Sequence, residues 1–172
     1  MSLEDIERAV KRLEKVAVEV IDTQNLAAAG DYAAEDVLSG NATAGTPYRF
    51  KDVGKSGVIE KAIAFCSVTA LAPRLTLYLF NRLPTGVLND NVANTNPTVT
   101  DHPAYEGKID FLAMEDLGGG SESVVSMGTY GNLPLPYYSP DGVLYGVAVT
   151  RDAITGEAVG MVLSFKLQVR RD

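Results

Sequence analysis

A single histidine among 172 residues sets the first limit on chemistry. His102 stands beside Pro103, and a metal-dependent enzyme of the cupin type needs several imidazole and carboxylate ligands. One imidazole is too few, so His102 reads as an ordinary loop residue. No serine lies in a nucleophile-elbow sequence, which removes the case for a Ser-His-Asp hydrolase. Gly54-Lys55-Ser56 looks like the end of a P-loop. The full spacing, however, puts Arg49 where a glycine must stand and a strand-like run from Val58 where a helix must begin.

Carboxylates are the remaining reactive groups. Asp90, Asp101, Glu106 and Asp110 fall in or beside one long polar stretch. Two of them about 5 to 9 Å apart across a cleft would suit glycoside hydrolysis, yet acidic loop residues are mostly turn formers and solvated charges. Asp90, Asn91 and Asp101 also offer the hard oxygens that Ca²⁺ accepts. Tyr105, Tyr130, Tyr137 and Tyr138 could stack on sugar rings, against the simpler reading that tyrosines anchor loops to a sheet edge. Asn41-Ala42-Thr43 matches a glycosylation sequon, which has no meaning without a secretory route. Cys66, the lone cysteine, lies in an apolar run and reads as an inert core or interface residue, with no intrachain disulfide to form. The expectation is a chain with no catalytic residue, no cofactor and no metal.

Composition narrows the partners. The net charge is -7, from 22 acidic and 15 basic residues, and beyond residue 16 the cations are scattered singly apart from Arg170-Arg171. Phosphate backbones are bound by clustered Lys and Arg, so no nucleic acid is expected. The start, Met1-Ser2-Leu3-Glu4-Asp5, lacks the basic and apolar regions of a signal peptide, and no run of about 18 apolar residues occurs. The expectation is a protein made in the cytoplasm, without a membrane partner. With 46% hydrophobic and 22% charged residues, the balance is that of one folded domain.

Two kinds of element must position these groups. Residues 1–16 form the first: Ser2 and Asp5 make a capping-box variant, and Glu4, Asp5 and Glu7 precede Lys11, Arg12 and Lys15 as the helix dipole favours. Leu3, Ile6, Val10, Leu13 and Ala17 follow heptad spacing, which predicts a helix over Ser2 to Lys15 with one apolar seam. That seam either lies on its own domain or packs against copies of itself, and Leu3, Ile6, Val10 and Leu13 are the candidate oligomer or capsid contacts. Two heptads are too few to associate without help from the rest of the chain.

Residues 17–172 change to a period of two. Strands are predicted over Val16 to Ile21, weakly over Tyr32 to Leu38, then over Tyr48 to Phe50 and Val58 to Ala70. From Ala62 to Val68 apolar residues occupy both sides of the alternation, the mark of a strand covered on both faces and a candidate contact surface. Leu75, Leu77 and Leu79 alternate with Thr76, Tyr78 and Phe80, giving a strand with one aliphatic face. A loop of about two dozen residues follows, rich in Asn, Asp and Pro. It leads to a strand from Glu106 to Ala113, and the pair reads as a crossing between two sheets.

Beyond it, Ser123 to Thr129 is a short strand. Pro134, Pro136 and Pro140 exclude a central strand and predict an ordered loop. Val143 to Thr150 and Ala158 to Val169 read as a closing hairpin. The fold class is all-β, an antiparallel β-sandwich of jelly-roll type with about eight strands and an N-terminal α-helix.

One block is more distinctive. Leu75-Thr76-Leu77-Tyr78-Leu79-Phe80-Asn81, then Pro84-Thr85, Asp90-Asn91, Asp101 and Ala104-Tyr105-Glu106-Gly107-Lys108-Ile109-Asp110 resembles a family of small virion proteins of tailed bacteriophages and their prophages. The likeness runs loosely from Val16 to Val169 and leaves out the helix. It implies a non-enzymatic structural subunit, a head decoration, cement or minor capsid protein, whose partners are the phage major capsid protein and itself. A homo-oligomer, taken as a trimer, and a virion location follow from the same resemblance. The alternative reading is a carbohydrate-binding or adhesive β-sandwich module of the tail type.

Overall fold

The computed structural model describes residues 2–5, 17–27, 30–69, 71–128, 132–155 and 160–172. Its strands are β1 (Ala17–Asn25), β2 (Val37–Leu38), β3 (Tyr48–Lys51), β4 (Ser56–Cys66), β5 (Leu75–Phe80), β6 (Tyr105–Phe111), β7 (Glu115–Asp116), β8 (Ser121–Ser126), β9 (Leu135–Tyr138), β10 (Val143–Thr150) and β11 (Val162–Arg171), with a 3-10 turn at Val99–Ala104. Eleven strands are described where turn signals predict about eight. The extra ones are short: β2 and β7 have 2 residues each and β9 has 4, too few to show a period.

The strands form two antiparallel sheets. One has six strands in the order β1-β11-β4-β8-β7, with β9 also on β4, and the other has five in the order β2-β10-β5-β6, with β3 also on β10. Period-two alternation places the inward residues of both on one core. Val20, Ile59, Ala62, Ala64, Leu163, Phe165, Leu167 and Val169 come from the six-stranded sheet. Tyr48, Phe50, Leu75, Leu77, Leu79, Ile109 and Phe111 come from the other. Phe165 joins them, its ring 4.9 Å from that of Tyr48 at 87° and 5.6 Å from that of Phe111. Each fully buried Leu or Phe here stabilises the fold by about 1.5 to 3 kcal/mol.

β5 differs from its expected form, because all six of its residues are buried. Leu75, Leu77 and Leu79 face the inter-sheet core, while Tyr78 and Phe80 join Val37, Val147 and Val149 in a second apolar cluster on the outer side. Aromatic groups at alternate positions cannot be left to water as Ser or Lys can, and the loop after β5 covers them. Val87 and Leu88 from that loop pack on this cluster. The expected sheet crossing is therefore corrected: β5 and β6 pair directly, Leu75 opposite Phe111 and Leu77 opposite Ile109. Residues 81–104 are a flap folded over the outer face of one sheet.

The flap is held by its own polar groups. Asn81 N–H donates to the Ala104 carbonyl at its base, and Val37 and Asn91 exchange main-chain bonds with Val92 and Val37. Buried Asp101 accepts from Thr85 N–H at 2.9 Å and from the Thr98 hydroxyl at 2.7 Å. Buried Asp90 accepts from the Tyr32 hydroxyl at 2.9 Å and from Ser39 N–H at 2.6 Å.

Two further expectations need correction. The proline-rich stretch contains β9, which pairs with β4 through Ser56–Tyr138 to Ile59–Leu135. It lies off the main strand order, where a missing N–H at Pro136 is tolerated. The closing hairpin does not form: β10 lies in the five-stranded sheet and β11 in the six-stranded one. Their patterns already differ. Val147 to Thr150 are buried without a break, as suits a strand under the flap, whereas β11 alternates buried Leu163, Phe165, Leu167 and Val169 with half-exposed Ser164, Lys166 and Gln168. The weak strand over Tyr32 to Leu38 shrinks to β2 and two isolated bridges, Tyr32 to Ile154 and Asp36 to Ala93.

Candidate interaction surface

The two sheets treat their outer faces differently. Over β5 and β10 the flap makes a dry cover, but the outer face of the six-stranded sheet has no such cover among the described residues. Register lines up its outward side chains in rows. Ile21 is opposite Lys166, Lys166 opposite Ile63, and Ile63 opposite Val124, one continuous row across β1, β11, β4 and β8. The next row runs Thr23, Ser164, Phe65, Glu122 and Glu115. Ile21 is 59% exposed, Val124 43% and Phe65 37%, so β-branched and aromatic groups meet solvent where a free sheet face would carry Thr, Lys or Glu.

Charges border this apolar row. Lys166 Nζ lies 3.4 Å from Glu19 and Arg170 Nε 2.6 Å from Glu60, which leaves the Lys166 stem to bridge Ile21 and Ile63. At the far edge the balance fails. Glu115 and Glu122 sit directly opposite each other on β7 and β8, and neither is ion-paired among the described residues. Like charges at such positions destabilise a strand pair.

The residues singled out for chemistry separate. His102 is exposed in the 3-10 turn, its carbonyl taken by Tyr105 N–H. Asp90 and Asp101 have different sets of partners, each fastening a different part of the flap. Glu106 accepts from the Asn81 amide at 2.5 Å and from Tyr138 N–H at 2.9 Å. Asp110 accepts from the Thr76 hydroxyl, from Lys108 and from the Asn132 amide. No group of three or more His, Cys, Asp or Glu side chains among the described residues is placed to hold a metal ion.

Burial pushes the Asp101 and Asp110 carboxyls up. The Thr98 and Thr85 bonds to Asp101, and the Lys108 and Thr76 bonds to Asp110, outweigh that and hold both below the ordinary range. These are latches engaged at neutral pH and not acids waiting to donate.

Among the described residues, Tyr105, Tyr137 and Tyr138 do not make a platform. Tyr137 is buried and its hydroxyl donates to the Val53 carbonyl, while Tyr105 lies against Phe80, ring centres 5.5 Å apart. Burial raises both phenols to about 12. Tyr138 is exposed, and Tyr130 lies outside the described residues. Gly54-Lys55-Ser56 forms a turn with Gly54 at φ 85 running into β4, the strand that a P-loop cannot have there. Lys55 lines an open groove of about 670 Å³ with Lys51, Asp52, Asp141 and Arg171. Asn41 spends its side-chain oxygen on Thr43 and Ala44 N–H in a local turn. Cys66 is buried, and burial raises its thiol.

At the N-terminus the capping box is in place, Ser2 N–H donating to Asp5 at 2.9 Å and Asp5 N–H to the Ser2 hydroxyl at 3.2 Å, with residues 3–5 helical. Leu3 is 78% exposed. Ile6, Val10 and Leu13 lie outside the described residues. Within the stretch Ala62 to Val68, read as a candidate contact surface, Ile63 and Phe65 face outward, while Ala62, Ala64 and Cys66 face the core. Ile21 and Val124 escaped sequence reading. Their signal is an aliphatic residue on the polar side of a strand alternation.

No protein-family model matches the chain. No curated protein matches it in sequence either. Among solved structures it is similar to a chain of Triatoma virus (TrV), at 10% identity and a TM-score of 0.28, over 98% of this chain and 71% of that one. A likeness at that level carries neither fold nor function across. No helix among the described residues is long and apolar enough to cross a membrane.

Proposed function

We propose that this chain is a non-enzymatic structural protein of a tailed-phage or prophage particle, decorating or cementing the head through contacts with the capsid lattice and with copies of itself. The observation that carries the reading is the uncovered apolar row Ile21, Ile63 and Val124 with Phe65, on a sandwich-like fold whose other outer face is closed by its own flap. A sheet face of this kind is costly to leave in water and suits a permanent contact.

The resemblance of Leu75 to Asp110 to small virion proteins supports the same reading. So does the all-β architecture of two antiparallel sheets, β1-β11-β4-β8 and β2-β10-β5-β6, which supports the proposed jelly-roll form. Fold alone does not choose a function. Weak contacts repeated on a symmetric lattice would reach high avidity without any deep pocket.

The test is addition of the purified protein to heads that lack it, followed by co-sedimentation and electron cryomicroscopy. Saturable binding at a fixed ratio to the major capsid protein is expected, with extra density outside the shell. Heads that stay bare at saturating protein would reject the reading.

A further inference from the structure

We infer that the outer face of the six-stranded sheet receives the N-terminal segment, residues 2–16, of a second copy of this chain, with the Leu3, Ile6, Val10 and Leu13 seam lying over the Ile21, Ile63 and Val124 row. The inference deepens the structural-subunit reading and rests on it for the notion of a subunit among copies. Its evidence is separate.

Two exposed apolar groups among the described residues bear on the inference. The row on the sheet is one. Leu3, the first residue of the heptad seam, is the other, 78% exposed although its capping box is formed. Were the seam folded onto its own sheet, Leu3 would be covered. The segment ends at Ala17, where β1 begins, and β1 is the edge strand of this same sheet. A helix over residues 2–16 would be about 22 Å long at 1.5 Å per residue. Crossing from β1 to β8 takes about 14 Å at strand spacing. A segment leaving one edge strand is therefore long enough to span the whole row on a neighbour.

Charge sets the polarity. Glu115 and Glu122 face each other at the β7 side, and among the described residues neither is ion-paired. The segment carries Lys11, Arg12 and Lys15 in its second half and Glu4, Asp5 and Glu7 in its first. Seating the basic half beside the opposed carboxylates relieves their repulsion and leaves the acidic half over the β1–β11 end, where Lys166 and Arg170 lie on the same face, paired with Glu19 and Glu60. The arrangement is reciprocal: each copy gives a segment and offers a face, so two copies close as a pair and a head-to-tail exchange closes as a ring.

The experiment uses full-length chains with Cys66→Ala, so that introduced cysteines are the reactive ones. Leu13→Cys on an isotope-heavy chain is mixed with Val124→Cys on a light chain, and a short bis-maleimide is added. Heavy-light covalent dimers are expected, along with inter-chain rather than intra-chain bridges in the Leu13→Cys, Val124→Cys double variant. Bridges confined to one chain would show the segment on its own sheet and overturn the inference, as would the absence of any bridge. Glu122→Lys should weaken self-association about tenfold, in line with loss of a rim charge pair, with the thermal midpoint reporting that the fold is intact. Head binding is read by co-sedimentation in separate samples, so loss of self-association and failure of the structural-subunit reading give different results.

Discussion

Asp101→Ala should loosen the flap without dismantling the sheets beneath it. The carboxylate is 1% exposed and accepts from Thr85 N–H at 2.9 Å and from the Thr98 hydroxyl at 2.7 Å. A hydrogen bond to a charged acceptor contributes about 1.5 to 3 kcal/mol, and removing the acceptor leaves both donors wanting. Water reaches Thr98 once the carboxylate is gone, so the expected loss is about 3 kcal/mol and not the full sum. With a urea m-value near 2 kcal/mol/M, that moves the unfolding midpoint down by about 1.5 M.

Hydrogen exchange supplies the discriminating readout. Amides of Thr85, Val87 and Asn96 should lose protection first, while Leu77, Val147 and Phe165 keep theirs until global unfolding. Asp101→Asn retains one acceptor and should cost about half as much. An unfolding free energy within about 0.5 kcal/mol of the parent, or a loss of protection spread evenly through both sheets, would refute the idea that this residue latches the flap.

Three other outcomes follow from the same structure. Gly57→Ala should destabilise by about 3 kcal/mol or more in thermal melts, because the added Cβ would lie 2.5 Å from the Arg170 carbonyl oxygen and 2.8 Å from the Tyr137 hydroxyl; a melt unchanged from the parent would show that β4 and β11 can part there at little cost. Hydrogen bonds hold the Asp101, Asp110 and Asp152 carboxyls below the ordinary aspartate range, so their stabilisation is complete above about pH 5 and is lost as pH falls through the folded values; midpoints measured from pH 7 to 2 should hold to about pH 5 and then drop, and a main loss between pH 7 and 5 would contradict this. Val124→Ser and Phe65→Ser should change folding stability by less than about 1 kcal/mol, as exposed sites do, yet reduce self-association in sedimentation; a large loss of stability with unaltered association would mean these groups serve the core.

Much of the architecture was legible because period-two alternation is a direct record of one dry and one wet face. β1, β4, β5 and β6 were readable for that reason. What misled was assuming that the second face of β5 was wet. Tyr78 and Phe80 were the warning, and the long stretch after them was a cover and not a crossing. The distinctive residues of that stretch, Thr85, Asp90 and Asp101, turn out to fasten it, so that part of the sequence records how the flap is held. The interaction surface was half readable: Ile63 and Phe65 broke the alternation of a single strand, whereas Ile21 and Val124 acquire meaning only when register places them beside Ile63.

The placing of β10 and β11 governs how this molecule can be made. β10 pairs with β2, β3 and β5, and β11 with β1 and β4, so each layer has its spine in the last thirty or so residues. A nascent chain emerging at about 5 to 20 residues per second would carry β1 and β4 without the strand that joins them. Neither layer can close before its spine strand has been made. Greasy edges then wait exposed, which favours expression at low temperature or with a holding chaperone, and makes a truncation before Val143 a recipe for aggregates.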